Sequence, residues 1–169
     1  MERHQGAPMQ DTIKDHTGHP TEPDINLTLH RVIDAPVEAV YAAWTDPSIL
    51  ERWFAPGNAV VARAVADVTV GGRFLIEMRG SDGRKSVVRG LYREVLPRRR
   101  LVHTWCWEGG DLETLVTVEF EPTPADKTRL TLTHSRFGQE QTRDEHERGW
   151  NACLAKLDDA TARHTAVSI

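Results

Sequence analysis

The closing segment of the chain, residues 139–166, constrains the fold most, because it is the longest stretch with a single helical period. Its apolar residues Trp150, Cys153, Leu154 and Leu157 are three and four positions apart, which places them on one side of a helix. Polar residues fill the other side: Glu147, Arg148, Asn151, Asp158, Asp159 and Arg163. A long helix with one narrow apolar stripe needs a broad apolar surface to cover it. The rest of the chain is therefore expected to supply that surface.

Most of the preceding chain has the pattern of β-strands. Residues 24–33 alternate apolar and polar side chains, which is typical of a strand with one buried face. Six more strands are predicted at residues 60–68, 73–79, 86–95, 101–107, 113–120 and 128–136. They are separated by turns such as the one around Asp82 and Gly83, and no helical segment intervenes. Strands joined in this way pair antiparallel.

Two short helices are predicted between the first strand and the other six. Pro36 stands where the first of them begins, because its missing N–H costs nothing in a first helical turn. Asp46 and Pro47 end that helix and cap the second, which stops before Pro56 and Gly57. The order strand, two helices, six strands and long helix predicts an α+β fold. In this fold a curved antiparallel sheet of about seven strands wraps round the C-terminal helix.

Composition divides the chain and excludes some function classes. Residues 1–23 are polar, contain prolines and glycines and lack an apolar period, so we expect a disordered tail followed by a single domain at 24–166. The formal charge of -4 does not favour nucleic-acid binding. No apolar run reaches membrane-spanning length. The two cysteines, Cys106 and Cys153, are far apart, which favours free thiols and a cytoplasmic location.

Six short motifs carry a resemblance to a known family. They are residues 32–47 (VIDAPVEAVYAAWTDP), 53–56 (WFAP), 71–74 (GGRF), 90–95 (GLYREV), 100–105 (RLVHTW) and 146–154 (HERGWNACL). In this order they resemble the AHSA-type family, which comprises homologues of the activator of the heat-shock-protein ATPase, within the START-like (SRPBCC) superfamily. The resemblance implies the helix-grip fold, a hydrophobic cavity between helix and sheet, and a link to the stress response. It implies no single function, because the superfamily includes lipid carriers, hormone receptors, polyketide cyclases and a co-chaperone.

The lining of that cavity is predicted from the alternation of each strand and the period of each helix. In residues 101–107 the bulkier set, which includes His103 and Trp105, is assigned to the inward face. The predicted ligand-binding residues are Trp44, Trp53, Phe54, Phe74, Met78, His103, Trp105, Val118, Leu132, His134, Trp150 and Leu154. An aromatic lining with few polar groups is typical of a ligand pocket and equally of a solid core. The family resemblance favours the pocket.

His103 and His134 are the polar residues of this predicted lining and the candidate catalytic residues. If both face the cavity they would form an acid/base pair, because imidazole titrates near neutral pH, or would orient a carboxylate or hydroxyl of a ligand. The alternative is that each is a hydrogen-bonded residue of the wall. The glycine pairs Gly71-Gly72 and Gly109-Gly110 lack the spacing of a phosphate-binding loop, and no metal-ligand spacing occurs, so no cofactor and no metal are expected.

Three functions remain open from the sequence. The leading hypothesis is binding of a small hydrophobic or aromatic molecule in the cavity, without catalysis. The second is a metal-independent cyclase or hydratase that uses the two histidines. The third is a protein-interaction module for a chaperone partner, which needs an exposed apolar patch that the sequence does not indicate. A homodimer would form if an edge strand near Asp24 or Val60 paired with its copy, although no residue specifies this.

Overall fold

The computed structural model of the protein describes residues 24–166, and the predicted disordered tail, residues 1–23, lies outside them. The elements are β1 (Ile25–Ile33), α1 (Val37–Thr45), α2 (Pro47–Trp53), β2 (Val60–Ala66), β3 (Arg73–Arg79), β4 (Lys85–Leu96), β5 (Arg100–Trp107), β6 (Glu113–Pro122), β7 (Thr128–Phe137), α3 (Glu140–Leu154) and α4 (Leu157–Ala166). This is the predicted order of strand, two helices, six strands and a C-terminal helical segment. The α+β class is therefore confirmed.

All seven strands form one antiparallel sheet in the order β1-β7-β6-β5-β4-β3-β2. The strands β2 to β7 follow one another through short turns, as successive antiparallel strands do. The helices α1 and α2 separate β1 from β2, so the chain crosses to the far edge of the sheet before it returns to pair β7 with β1. The edges are therefore β1 and β2, the two strands for which sequence suggested pairing in a homodimer, and that dimer stays a prediction.

The C-terminal segment is helical but interrupted. One helix was expected over residues 139–166, whereas α3 ends at Leu154 and α4 begins at Leu157. The interruption coincides with a tertiary bond, in which the Nζ of Lys156 donates to the carbonyl oxygen of Ala55 at 2.6 Å. The apolar stripe nevertheless continues across both helices, and its buried members are Trp150, Cys153, Leu154, Leu157 and Ala160.

The pair of short helices is held at its junction. Asp46 caps α2, because its Oδ1 accepts a hydrogen bond from the backbone N–H of Ser48 at 2.9 Å and Pro47 is the first helical residue. The indole Nε1 of Trp53 donates to the carbonyl oxygen of Ala43 at 2.9 Å, which joins α2 to α1. These contacts bring Trp44 and the residues that follow α2 into one hydrophobic core with the sheet and the C-terminal helices.

The inward face of the sheet is the one that alternation predicted. Its buried residues are Phe74, Ile76 and Met78 on β3, Leu101, His103 and Trp105 on β5, Val116, Val118 and Phe120 on β6, and Leu130, Leu132 and His134 on β7. Because neighbouring strands are in register, these side chains form continuous rows beneath the helices. Aromatic rings from β3, β5, α1 and α3 meet at the centre of that surface.

One close approach between strands depends on glycine. A Cβ placed on Gly90 of β4 would lie 1.8 Å from the backbone oxygen of Thr104 on β5. The strands would have to separate to admit it, so we expect Gly90→Ala to lower the free energy of unfolding by about 3 kcal/mol. Urea denaturation followed by tryptophan fluorescence measures this value.

The matched control is Gly149 in α3, where a Cβ would meet no atom within 4 Å. Gly149→Ala is expected to raise the free energy of unfolding by about 1 kcal/mol, because alanine has the higher helix propensity. A Gly90→Ala variant as stable as the original protein would contradict the close packing of β4 on β5.

Candidate ligand-binding pocket

A pocket of about 290 Å³ lies between α3, the end of β5 and the loop that follows α2. Its lining residues are Phe54, Pro56, Met78, Trp105, Trp107, Glu145, His146, Gly149, Trp150 and Cys153. This volume is at the lower end of the usual range for ligand pockets, about 300–1,000 Å³. The wall is mainly aromatic and aliphatic, and its polar groups lie on the first turns of α3.

The structure separates the predicted ligand-binding residues into two groups. Four of them, Phe54, Met78, Trp105 and Trp150, line the pocket. The others are buried in the core and outside the pocket lining: Trp44, Trp53, Phe74, His103, Val118, Leu132, His134 and Leu154. The pocket therefore borders Trp150 and does not reach Leu154, which is buried in the core.

Six of the described lining residues are not in the predicted ligand-binding set: Pro56, Trp107, Glu145, His146, Gly149 and Cys153. The sequence does indicate that Trp107 lines the pocket, because it lies on the same face of β5 as Trp105. It does not indicate this for Glu145 and Gly149, because polar residues and glycines near a helix start usually face solvent. Their place in the lining depends on how α3 is rotated against the sheet, which the helical period alone does not specify.

The aromatic wall is built from rings that contact one another across different elements. Trp105 of β5 lies 5.2 Å from Trp150 of α3 between ring centroids, and Phe54 meets Trp150 edge-on at 5.3 Å. Trp107 meets Trp105 edge-on at 5.6 Å. Such edge-to-face pairs stabilise packing beyond their buried area. They hold the wall in one arrangement before any ligand binds.

A chain of hydrogen bonds through His134 fixes the position of Trp150. The indole Nε1–H of Trp150 donates to His134 Nδ1 at 3.0 Å, so this nitrogen carries no proton. The other ring nitrogen, Nε2, lies 2.6 Å from Thr114 Oγ1, whose hydroxyl donates to the carbonyl oxygen of Trp105 at 3.1 Å. His134 Nε2–H is therefore the donor to Thr114. The imidazole is neutral and connects α3 with Thr114 of β6, whose hydroxyl continues the chain to β5.

The two candidate catalytic histidines are both neutral at pH 7. Burial lowers the pKa of His103 to about 4, and burial with repulsion from His146 and His103 lowers the pKa of His134 to about 2. They do not face each other, because Trp105 lies between them, with ring centroids 6.2 Å from His103 and 5.4 Å from His134. This geometry supports the wall-residue alternative, and an acid/base role for the pair stays a prediction.

A second histidine bridge closes one side of the pocket mouth. His146 Nδ1 lies 2.7 Å from the carbonyl oxygen of Thr142 and donates to it, so its Nε2 is free to accept. The indole Nε1–H of Trp107 donates to that Nε2 at 2.9 Å. The bond connects α3 with the end of β5. Trp107 and Trp150 thus both direct their indole N–H groups at a histidine.

The remaining reactive groups of the pocket are not activated. Burial raises the pKa of the Cys153 thiol to about 12, so Cys153 is protonated and is a weak nucleophile. Among the residues that the structure describes, no cluster of three or more histidine, cysteine, aspartate or glutamate side chains could hold a metal ion. In the same part of the chain no helix is both long and apolar enough to cross a membrane.

A seven-stranded antiparallel sheet that grips a C-terminal helical segment and leaves a pocket beside it defines a START-like, helix-grip protein. The chain belongs to the AHSA1 family, since the family model described as activator of Hsp90 ATPase homolog 1-like protein matches residues 34–162. This confirms the family that the sequence motifs indicated. No match is found among curated protein sequences.

Solved structures agree with this assignment. The AHSA1 protein of Silicibacter pomeroyi is 27% identical, with a TM-score of 0.74, and the match covers 83% of this chain and 99% of that one. A protein from Chromobacterium violaceum is also 27% identical, with a TM-score of 0.74, over 80% of this chain and 96% of that one. The AHSA1-like protein of Aeromonas hydrophila is 24% identical, with a TM-score of 0.70, over 83% of this chain and 94% of its own, and shows the fold alone.

Proposed function

We propose that the protein binds a small hydrophobic or aromatic molecule in the pocket beside Trp150. The observation that supports this is the lining itself, in which four aromatic side chains and the thioether of Met78 surround about 290 Å³. Apolar burial supplies about 25 cal/mol per Å² before the costs of ordering are subtracted. A molecule of one or two rings fits the volume better than a long acyl chain.

Pre-organisation of the wall supports the same proposal. Trp150 and Trp107 are each held by an indole-to-imidazole hydrogen bond, and Trp105 packs between them. A wall that does not rearrange on binding loses little conformational freedom, so more of the gross burial energy remains as affinity. The two imidazoles that accept these bonds, His134 and His146, support the wall, which is why we favour binding over catalysis.

The decisive variant is Gly149→Leu. Gly149 lines the pocket, and a side chain there would meet no atom within 4 Å at its Cβ. Leucine should therefore fill part of the pocket without displacing the core, and it should also favour the helix. We expect the dissociation constants of neutral aromatic fragments to rise by roughly tenfold or more, measured by ligand-observed fluorine NMR and by tryptophan quenching.

Gly149→Ala is the control, because it adds only a methyl group at the same position. Its fragment affinities should stay close to those of the original protein. The proposal fails if no one-ring or two-ring fragment binds the original protein, or if Gly149→Leu binds as well as Gly149→Ala. Circular dichroism of both variants verifies that the fold is retained.

Three more specific expectations from the sequence stay predictions. They are a cytoplasmic location, a homodimer through an edge strand and an interaction with a chaperone. The interaction needs a continuous apolar surface outside the pocket. The exposed large apolar residues are Val32, Val60, Val70, Leu91, Leu96 and Leu112, which are distributed over β1, β2, β4 and two loops. Co-purification with the chaperone is the test of that role.

A further inference from the structure

The electrostatics of the pocket lining are one-sided. Among the described residues of the lining, Glu145 is the only side chain with a formal charge at pH 7, and no lysine or arginine accompanies it there. Both ring nitrogens of His146 beside it are already engaged, since Nε2 accepts the indole proton of Trp107 while Nδ1 donates to a backbone carbonyl. A carboxylate ligand would therefore enter an apolar wall without a counter-charge and would pass an acidic rim, which is unfavourable.

The aromatic rings of the wall also present negative potential to a ligand. The face of an aromatic ring carries negative potential and its edge positive potential. The most positive edge groups are the indole N–H groups, and those of Trp107 and Trp150 are turned to His146 and His134. The N–H of the third indole, Trp105, has no hydrogen-bond partner among the described residues, but it is fully buried and therefore not exposed to a ligand in the pocket. What the wall offers a ligand is thus mainly π-surface, which attracts cations.

The acidic rim and the π-surface of the rings both favour a positively charged ligand, and both belong to the same pocket. Glu145, Trp107 and Trp150 all line one pocket, with the carboxylate at its exposed rim and the rings deeper inside. Aromatic walls with a nearby carboxylate bind organic ammonium groups, because the rings and the acid both stabilise positive charge. The body of such a ligand would be apolar and would contact Phe54 and Met78.

We propose that the ligand of this pocket is an organic cation, an amine or quaternary ammonium compound with an apolar or aromatic body, and that Glu145 selects its charge. This inference rests on the proposed binding function and narrows its ligand class.

The test uses three probes of nearly the same shape. Benzyltrimethylammonium is cationic, neopentylbenzene is its neutral isostere, and phenylmethanesulfonate is an anion with a similar tetrahedral head. We expect the cation to bind the full chain roughly tenfold tighter than the neutral isostere, and the anion to bind weakest. The advantage of the cation should shrink when salt is raised from about 0.05 to 0.5 M, because the rim is open to solvent.

Glu145→Gln should lower the affinity for the cation by roughly fivefold and leave the affinity for the neutral isostere unchanged. Glu145 is exposed, and the one hydrogen bond of its side chain to a described residue is accepted from Gln141 Nε2 at 3.4 Å, so the variant should fold normally. Glu140→Gln is the matched control, since it removes the same charge from the first turn of α3 outside the lining.

The outcomes separate this inference from the function on which it rests. Equal or tighter binding of the neutral isostere, or an equal response of both glutamine variants, would overturn the charge preference and leave the pocket as a binding site for neutral molecules. Failure of all three probes and of the neutral fragments would remove both proposals. Cation binding that Gly149→Leu abolishes and Glu145→Gln selectively weakens would support both.

Discussion

Lowering the pH from about 7.5 to about 5 is expected to reduce the free energy of unfolding by about 4 kcal/mol through two buried histidines alone. His103 and His134 are neutral in the folded protein, because burial lowers their pKa values to about 4 and about 2. In the unfolded chain each has the ordinary pKa near 6.5. Below that pH the unfolded state binds two protons that the folded state does not, so acid favours unfolding. Each histidine contributes about 2 kcal/mol at pH 5.

The measurement is urea denaturation at several pH values between about 7.5 and 5. Exposed carboxylates also titrate towards the acid end, so the comparison between variants isolates the histidines. His103→Phe removes one of the two groups and keeps an aromatic ring at the site, so the histidine-dependent pH slope should fall by half. His134 remains and accounts for the other half.

Phe74→Leu is the control for packing. Phe74 stacks on His103 with ring centroids 4.1 Å apart, so its truncation should destabilise the protein by a similar amount at every pH while both histidines still titrate. If His103→Phe keeps the full pH slope, His103 is not buried in its neutral form and the assignment is wrong. If the free energy of unfolding does not change down to about pH 5, neither histidine is buried in its neutral form.

Replacing His134 with leucine is expected to cost about 3 kcal/mol, although the size of the side chain is nearly preserved. Leucine accepts no hydrogen bond, so the indole N–H of Trp150 would be left unpaired in a residue that is 3% exposed. Thr114 would lose the proton donor that faces its hydroxyl oxygen. Unpaired buried donors carry the full cost of desolvation, which is why the loss exceeds that of an ordinary hydrogen bond.

A double-mutant cycle with Trp150→Phe measures the bond itself. Phenylalanine has no N–H to leave unpaired, so His134→Leu should cost less in that background, with a coupling energy of about 1–2 kcal/mol. Strictly additive effects would mean that the bond between the two side chains contributes nothing. Thr114→Val is a second comparison, because it removes the other partner of His134 and leaves Trp150 paired.

The His134→Leu variant also tests whether the stability of the wall affects ligand binding. His134 lies outside the pocket lining, whereas Trp150 is part of it. A loosened Trp150 indole should weaken fragment binding in His134→Leu even though no lining residue has changed. His134, which the sequence offered as one half of an acid/base pair, would then act as a positioning residue for Trp150, and its low pKa keeps it neutral in that role.

Local patterns in the sequence were sufficient for the order of elements and for the inward face of each strand. Alternation along a strand and the helical period depend only on neighbouring residues, so Phe74, Met78, His134 and Trp150 were correctly assigned to the interior. The six motifs likewise identified the family without any coordinates. The cap at Asp46 was also readable, because an N-cap depends on residues two positions apart.

Only the tertiary structure decided where the interior is empty and which side chains border that space. Most of the predicted lining residues became core because rings from α1, α2, β3 and α3 meet at distances that no single element determines. The break at Lys156 depends on a carbonyl 101 positions earlier in the chain. The protonated nitrogen of His134 depends on which residues of α3 and β6 face it. Periodicity tells which way a side chain points, whereas packing between distant segments decides what it meets.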